Sequence, residues 1–131
     1  IFEGFDDFQV GVRPSGWTFT NCNQDSDTYV SPAGYYGINP PSVKLDAAGD
    51  VITTRLFAGR NPQDLSFWVK GVGTSPNSSL LVEEFYGIGW HRLLELTPLP
   101  GTGGGQGPYT LNDGTNKLRS SYQKDAGDLA F

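Results

Sequence analysis

Methionine is absent from the 131 residues, and cysteine and histidine each occur once. With Cys22 alone, no disulfide can close within the chain and no cysteine-based zinc site can form. A single cysteine in an aromatic-rich stretch reads as a small buried apolar residue. The chain opens at Ile1, so it is read as the product of leader removal or as a piece of a longer protein. Basic residues are few: 9 Lys and Arg stand against 14 Asp and Glu, a net charge of −5. The nearest basic pairs are Lys117 with Arg119 and His91 with Arg92, and no basic run exists. A nucleic-acid binder needs a basic stripe to displace counterions from phosphates, so that class is excluded, and attachment to anionic membrane surfaces with it. No signal-like or membrane-spanning apolar run is present, which argues against membrane insertion. Nor does any segment hold a helical period beyond a turn or so.

What is present is turn chemistry and short apolar runs. The 18 glycines and 9 prolines are about a fifth of the chain, against roughly 12% in an average protein. They have no three-residue period, and aliphatic and aromatic residues are spread between them, which excludes collagen and disorder. The clearest unit runs from Asp64 to Gly89. Two strand-like runs, DLSFWVKG and SSLLVEEFYGIG, flank a turn at Gly71, Gly73, Ser75, Pro76 and Asn77. The same grammar predicts strands at Phe2–Phe8, Gly16–Thr20, Thr28–Val30, Ser42–Asp46, Val51–Phe57, Leu65–Gly71, Leu80–Tyr86, Trp90–Leu96, Tyr109–Leu111, Lys117–Gln123 and Asp128–Phe131. Ser31 to Pro41 reads as a loop, and the glycine-rich segment from Pro98 to Pro108 as a flexible crossing over the top of the sandwich. Residues 1–131 are thus expected to form a single all-β domain, a two-sheet antiparallel β-sandwich.

Alternation with period two predicts the buried faces. Phe67 and Val69, Leu80 and Val82, Leu118 and Tyr122, and Ile52 and Leu56 are expected to point inward, with Leu94 also in the core. Lys70, Glu83, Arg119, Lys117 and Arg55 are expected to point outward.

Residues that could carry catalysis are sparse. His91 sits inside a predicted strand, and no G-x-S-x-G elbow exposes a serine. The string Ser121-Tyr122-Gln123-Lys124 matches S-x-x-K but lies on a strand. Glu83, Glu84 and Glu95 fall on adjacent strands, yet Glu83 and Glu84 must point to opposite faces, which spoils a paired-carboxylate site. The chain is therefore read as non-catalytic. Calcium needs six to eight hard oxygen ligands. Glu3, Asp6 and Asp7 cluster near the start, and Asp25 and Asp27 share a loop with Asn23 and Ser26, so these carboxylates are the candidate ligands for a structural Ca2+. Sugars present flat C–H faces that lie on exposed rings flanked by polar groups. The candidate rings are Tyr35 and Tyr36 in the Pro/Gly loop, Tyr86, Trp90 and Trp68, whereas Trp17 reads as a core or core-edge ring.

The order FEGFDDF, PSGWTFTN, PSVKLDAAGDVITT, LSFWVKG, SSLLVEE, GWHRLLELTPLP, GTNKLRSSYQK and GDLAF resembles the jelly-roll modules of secreted bacterial enzymes and surface proteins, in the MAM-like and carbohydrate-binding-module-like (galactose-binding-like) group. That resemblance implies a jelly-roll topology and one structural cation between the first and last strands. In that group the closing strand usually runs on into an acidic pair, whereas here it ends at Phe131, so the last strand is expected to be short or to be completed by another segment. Function is expected to be that of a secreted or cell-surface binding module for a polysaccharide or surface glycan, or for adhesion. The alternative is a structural subunit that assembles with copies of itself into a filament or layer, its terminal strands pairing between subunits.

Overall fold

A computed structural model describes residues 2–8, 12–22 and 28–131. Alternating apolar residues between glycine- and proline-rich turns produce ten strands. They are β1 (Thr18–Thr20), β2 (Thr28–Tyr29), β3 (Ser42–Leu45), β4 (Val51–Thr53), β5 (Asp64–Val72), β6 (Ser79–Tyr86), β7 (Gly89–Leu96), β8 (Gly104–Thr110), β9 (Lys117–Gln123) and β10 (Asp128–Ala130). They form two five-stranded sheets, ordered β1-β4-β9-β6-β7 and β2-β3-β10-β5-β8. Neighbouring strands run antiparallel. From β3 onward the chain alternates between the sheets, except for the β6–β7 hairpin within the first, to give β4-β9-β6-β7 facing β3-β10-β5-β8, the strand order of a jelly roll. No α-helix occurs among the described residues.

The predicted inward positions Val69, Leu80, Val82, Ile52, Leu118 and Tyr122 are buried. Phe67 and Leu94 are half-buried and pack against the same core. Leu56 differs, at 58% exposure. Strand β4 stops at Thr53, two-residue alternation ends there, and Phe57 turns inward instead at 6%. The N-terminal stretch also departs from expectation. Phe2–Phe8 forms no strand among its described residues, and it contributes two plugs, Phe5 and Phe8, whose rings meet Phe19 edge to face at 6.1 Å and tilted at 4.7 Å.

The glycine-rich crossing is partly a strand, because Gly104–Thr110 pairs with β5. Two bare glycines permit the close approach: a Cβ on Gly107 would stand 2.5 Å from the Leu65 carbonyl oxygen. A Cβ on Gly103, whose φ is +77°, would stand 2.7 Å from the Trp68 indole. Beyond the end of β5, Ser78 donates to the Ala126 carbonyl and accepts from the Asp125 and Ala126 amides. The Tyr122 hydroxyl donates to the Gly127 carbonyl at 2.8 Å. Together these bonds fasten the β9–β10 turn to the β5–β6 turn. Gly127 has φ +80° and sits where any Cβ would collide with the Gly73 backbone, so glycine is required there.

Candidate binding surfaces

The outer face of the first sheet carries one compact group of rings and charges. In the β6–β7 hairpin Phe85 lies opposite Trp90, and their rings meet edge to face at 5.3 Å. In the β6–β9 pair Phe85 lies opposite Lys117, and Glu83 opposite Arg119. Alternation places all five side chains on one surface, because Leu80, Val82 and Glu84 occupy the inward positions of β6. Arg119 donates from Nε to Glu83 Oε1 at 2.9 Å, with Nη2 at 2.8 Å from the same oxygen. So held, its guanidinium lies 4.3 Å from the Trp90 ring centre. The Lys117 ammonium stands 5.2 Å from the Phe85 ring and 5.8 Å from Trp90, and no described carboxylate pairs with it. Guanidinium and ammonium groups are drawn to the negative ring faces, and this fixes the indole.

The remaining predicted rings are dispersed. Tyr86 lies on the other face of the same hairpin and stacks on His91 at 3.9 Å with planes 12° apart. Tyr35 anchors the loop from Ser31 to Pro41 onto the outer face of the second sheet. Its ring meets Tyr29 at 5.4 Å, the Lys70 ammonium lies 3.9 Å from its centre, and its carbonyl accepts from Ser42 Oγ at 2.6 Å. Tyr36 is half-buried in that loop. Trp68, also half-buried, packs against Gly37 and Gly103 on the second sheet. The five predicted rings therefore form no single platform. Sequence reasoning missed Phe85, Lys117, Arg119 and Glu83 as a group, because only strand register brings them beside Trp90.

Among the described acidic candidates, no cation cage forms. Glu3, Asp6 and Asp7 line one small pocket of about 200 Å3, which they share with Arg13. Glu3 Oε1 already accepts the Phe5 amide at 2.7 Å. Among the described residues no three His, Cys, Asp or Glu side chains converge on a point that could hold a metal. Asp25 and Asp27 lie outside the described residues.

The carboxylates considered for catalysis are each engaged. Buried Glu84 accepts from the Asn112 amide, Asn112 Nδ2 and Thr115 Oγ1 at 3.0, 2.7 and 2.6 Å. Burial opposes its charge, but these hydrogen bonds outweigh it and hold the carboxyl below the usual carboxylate range. Glu83 holds Arg119, and Glu95 takes Ser79 Oγ and Arg92.

Among the described residues, a cleft of about 1020 Å3 enters the gap between the sheets beside β5. Its walls include Phe5, Trp17, Ile52, Phe57, Leu65, Phe67, Leu111, Leu118 and Phe131, and Trp68 lies at its rim. The buried apolar residues fall into two clusters, one around Phe8, Val43 and Leu80, the other formed by Phe57, Leu111 and Leu118. The cleft touches both.

Matching against known proteins adds no relative: no family model, no curated protein and no solved structure matches this chain. What the fold defines is a jelly-roll β-sandwich with an aromatic and cationic outer face on one sheet and an apolar cleft beside the other.

Proposed function

We propose that the chain is a non-catalytic carbohydrate-binding module of a secreted or cell-surface protein, and that its sugar platform is the Trp90–Phe85 face of the first sheet. The observation that supports this reading is the Arg119 guanidinium, locked by Glu83 and lying 4.3 Å from the Trp90 ring centre. A ring already held in place loses little freedom when a sugar C–H face settles against it. Glu83, Arg119 and Lys117 stand around the rings as acceptor and donors for hydroxyl groups. The secreted setting rests on the acidic, Gly-, Thr-, Ser- and Asn-rich composition and on the resemblance.

Affinity electrophoresis through gels containing soluble polysaccharides tests the proposal. At least one polysaccharide is expected to retard the native chain, with the retardation lost in Trp90→Ala and reduced in Lys117→Gln. Migration unchanged by every polysaccharide, or retardation that survives Trp90→Ala in a variant with an unaltered melting curve, overturns it.

A further inference from the structure

Among the described residues, the second sheet has an unfilled lane. Strand β10 pairs with β5 only at Asp128↔Val72, Leu129↔Gly71 and Ala130↔Lys70. On the other side, β8 accompanies β5 from Asp64 to Val69. The stretch from Asp64 to Trp68 therefore has a partner on one side, and no strand among the described residues on the other. Antiparallel ladders send the main-chain groups of successive residues to opposite sides. Phe131 exchanges both of its main-chain bonds with Val43 on β3, so Ala130 addresses Lys70 on β5. The Gly71 amide goes the other way, to the Pro100 carbonyl. Lys70, Trp68 and Ser66 thus point their N–H and C=O groups to the β10 side, and beyond Lys70 that side is the cleft.

Burial along β5 shows the same gap. Val69, level with the end of β10, is at 0% exposure, whereas Phe67 and Leu65 face the same interior and are only half-buried. The cleft beneath them is lined by residues of both apolar clusters. Its described lining holds the carboxylates of Glu3, Asp6 and Asp64 and no Lys, Arg or His.

We infer that this lane is a docking site for an extended peptide strand supplied by another polypeptide. The peptide enters antiparallel to β5, in line with β10. Its outward residues exchange main-chain hydrogen bonds with Trp68 and Ser66, and the residues between them send apolar side chains down beside Phe67 and Leu65 to join the two clusters. The acidic rim favours Lys or uncharged side chains at the outward positions. An oligosaccharide could enter the same opening, but it would leave the unpaired peptide groups of β5 without a matching ladder. This inference is independent of the sugar platform, which lies on the other sheet.

The test uses the whole chain, 15N-labelled, and a capped peptide of about six residues, the usual strand length, alternating valine with lysine or threonine. Saturable binding is expected, with the Ser66 and Trp68 amides shifting and becoming protected from hydrogen exchange. A twin peptide N-methylated at its lysine and threonine amides should bind about tenfold more weakly or worse, since it cannot donate to β5. Phe67→Lys should weaken binding as well. A glutamate-for-lysine peptide should bind more weakly, and equal binding overturns the charge preference. Absence of saturable binding at millimolar peptide, equal binding of the N-methylated twin, or shifts confined to the Trp90 face would each overturn the docking site. Failure of the polysaccharide assay leaves these outcomes unchanged, so the two proposals fall separately.

Discussion

The two sheets have the same number of strands but are finished to different degrees. In the first, β9 lies against β6 over seven residue pairs, from Ser79↔Gln123 to Phe85↔Lys117. In the second, the equivalent central pairing of β10 with β5 covers three. The consequence appears one layer down. Leu80 and Val82 under the complete ladder are at 0% exposure, and Leu65 and Phe67 under the incomplete one are half-buried. A sheet excludes water from its inner face only where neighbouring strands lie side by side, so the length of one central strand decides how much of the sandwich is truly interior. The two halves also differ in what they offer a partner: a flat surface of fixed rings and charges on one sheet, an open strand lane on the other.

The sharpest way to break this comparison is to truncate one leucine from each half. Leu80→Ala is expected to cost about 2–5 kcal/mol, as cavity formation in a packed core does. Leu65→Ala should cost about 1 kcal/mol, because its side chain already borders open space. Urea denaturation of both variants checks this, and equal losses would mean the lane is closed in solution.

The next effect belongs to Glu84, the buried carboxylate beneath the hairpin that carries the ring platform. Glu84→Ala strands the donors of Asn112 and Thr115 and should cost roughly 1–3 kcal/mol. The sign of its pH dependence follows from a carboxyl held low by hydrogen bonds in the folded state. Its stabilisation is fully present above the unfolded value near 4.3 and is lost as pH falls through the lower folded value. Unfolding free energies measured from pH 6 downward should therefore fall less steeply in Glu84→Gln than in the native chain.

A smaller loss is expected where the second sheet is covered from outside. Tyr35→Ala removes the ring held between Tyr29 and Lys70, and about 1 kcal/mol should go with it. Proteolysis within the loop from Ser31 to Pro41 should quicken at the same time, which thermal melts and limited digestion would show. The smallest effect on stability should come from Arg119→Ala on the first sheet. A surface ion pair contributes under about 1 kcal/mol, so the variant should melt close to the native chain even though the Trp90 ring loses its brace. A large destabilisation there would mean that the platform is a structural element.

Much of the fold is legible in the sequence. Period-two alternation located β5, β6, β7 and β9 nearly to the residue, and it named Val69, Leu80, Val82, Leu118 and Tyr122 as interior. The misreadings share a cause. Phe2–Phe8 has the composition of a strand but is used as aromatic plugs, because Phe5 and Phe8 find Phe19 and Trp17 across the chain. The glycine-rich crossing reads as a loop because glycine has no side chain to reveal a face, yet Gly107 lets β8 lie close against the Leu65 carbonyl of β5, and Gly103 just before β8 lies against Trp68. Leu56 kept the alternation but lay past the point where β4 loses its partner, so nothing required it to face inward.

The candidate surfaces were less legible. Residue type flagged Trp90, Tyr86, Trp68, Tyr35 and Tyr36 alike, since an aromatic ring reads the same in a platform, under a loop or against a histidine. By itself the sequence determined the class of fold, the inward faces of the long strands and the absence of a basic or disulfide-linked surface, because these depend on local periodicity and composition. Only the tertiary structure decided that Trp90, Phe85, Arg119 and Lys117 meet, that Tyr35 is spent on holding a loop, and that β10 accompanies β5 over three residue pairs, leaving a lane of the second sheet open among the described residues. Those outcomes depend on which residues stand opposite one another across strands far apart in the chain, and register of that kind is set by the packing of the whole sandwich.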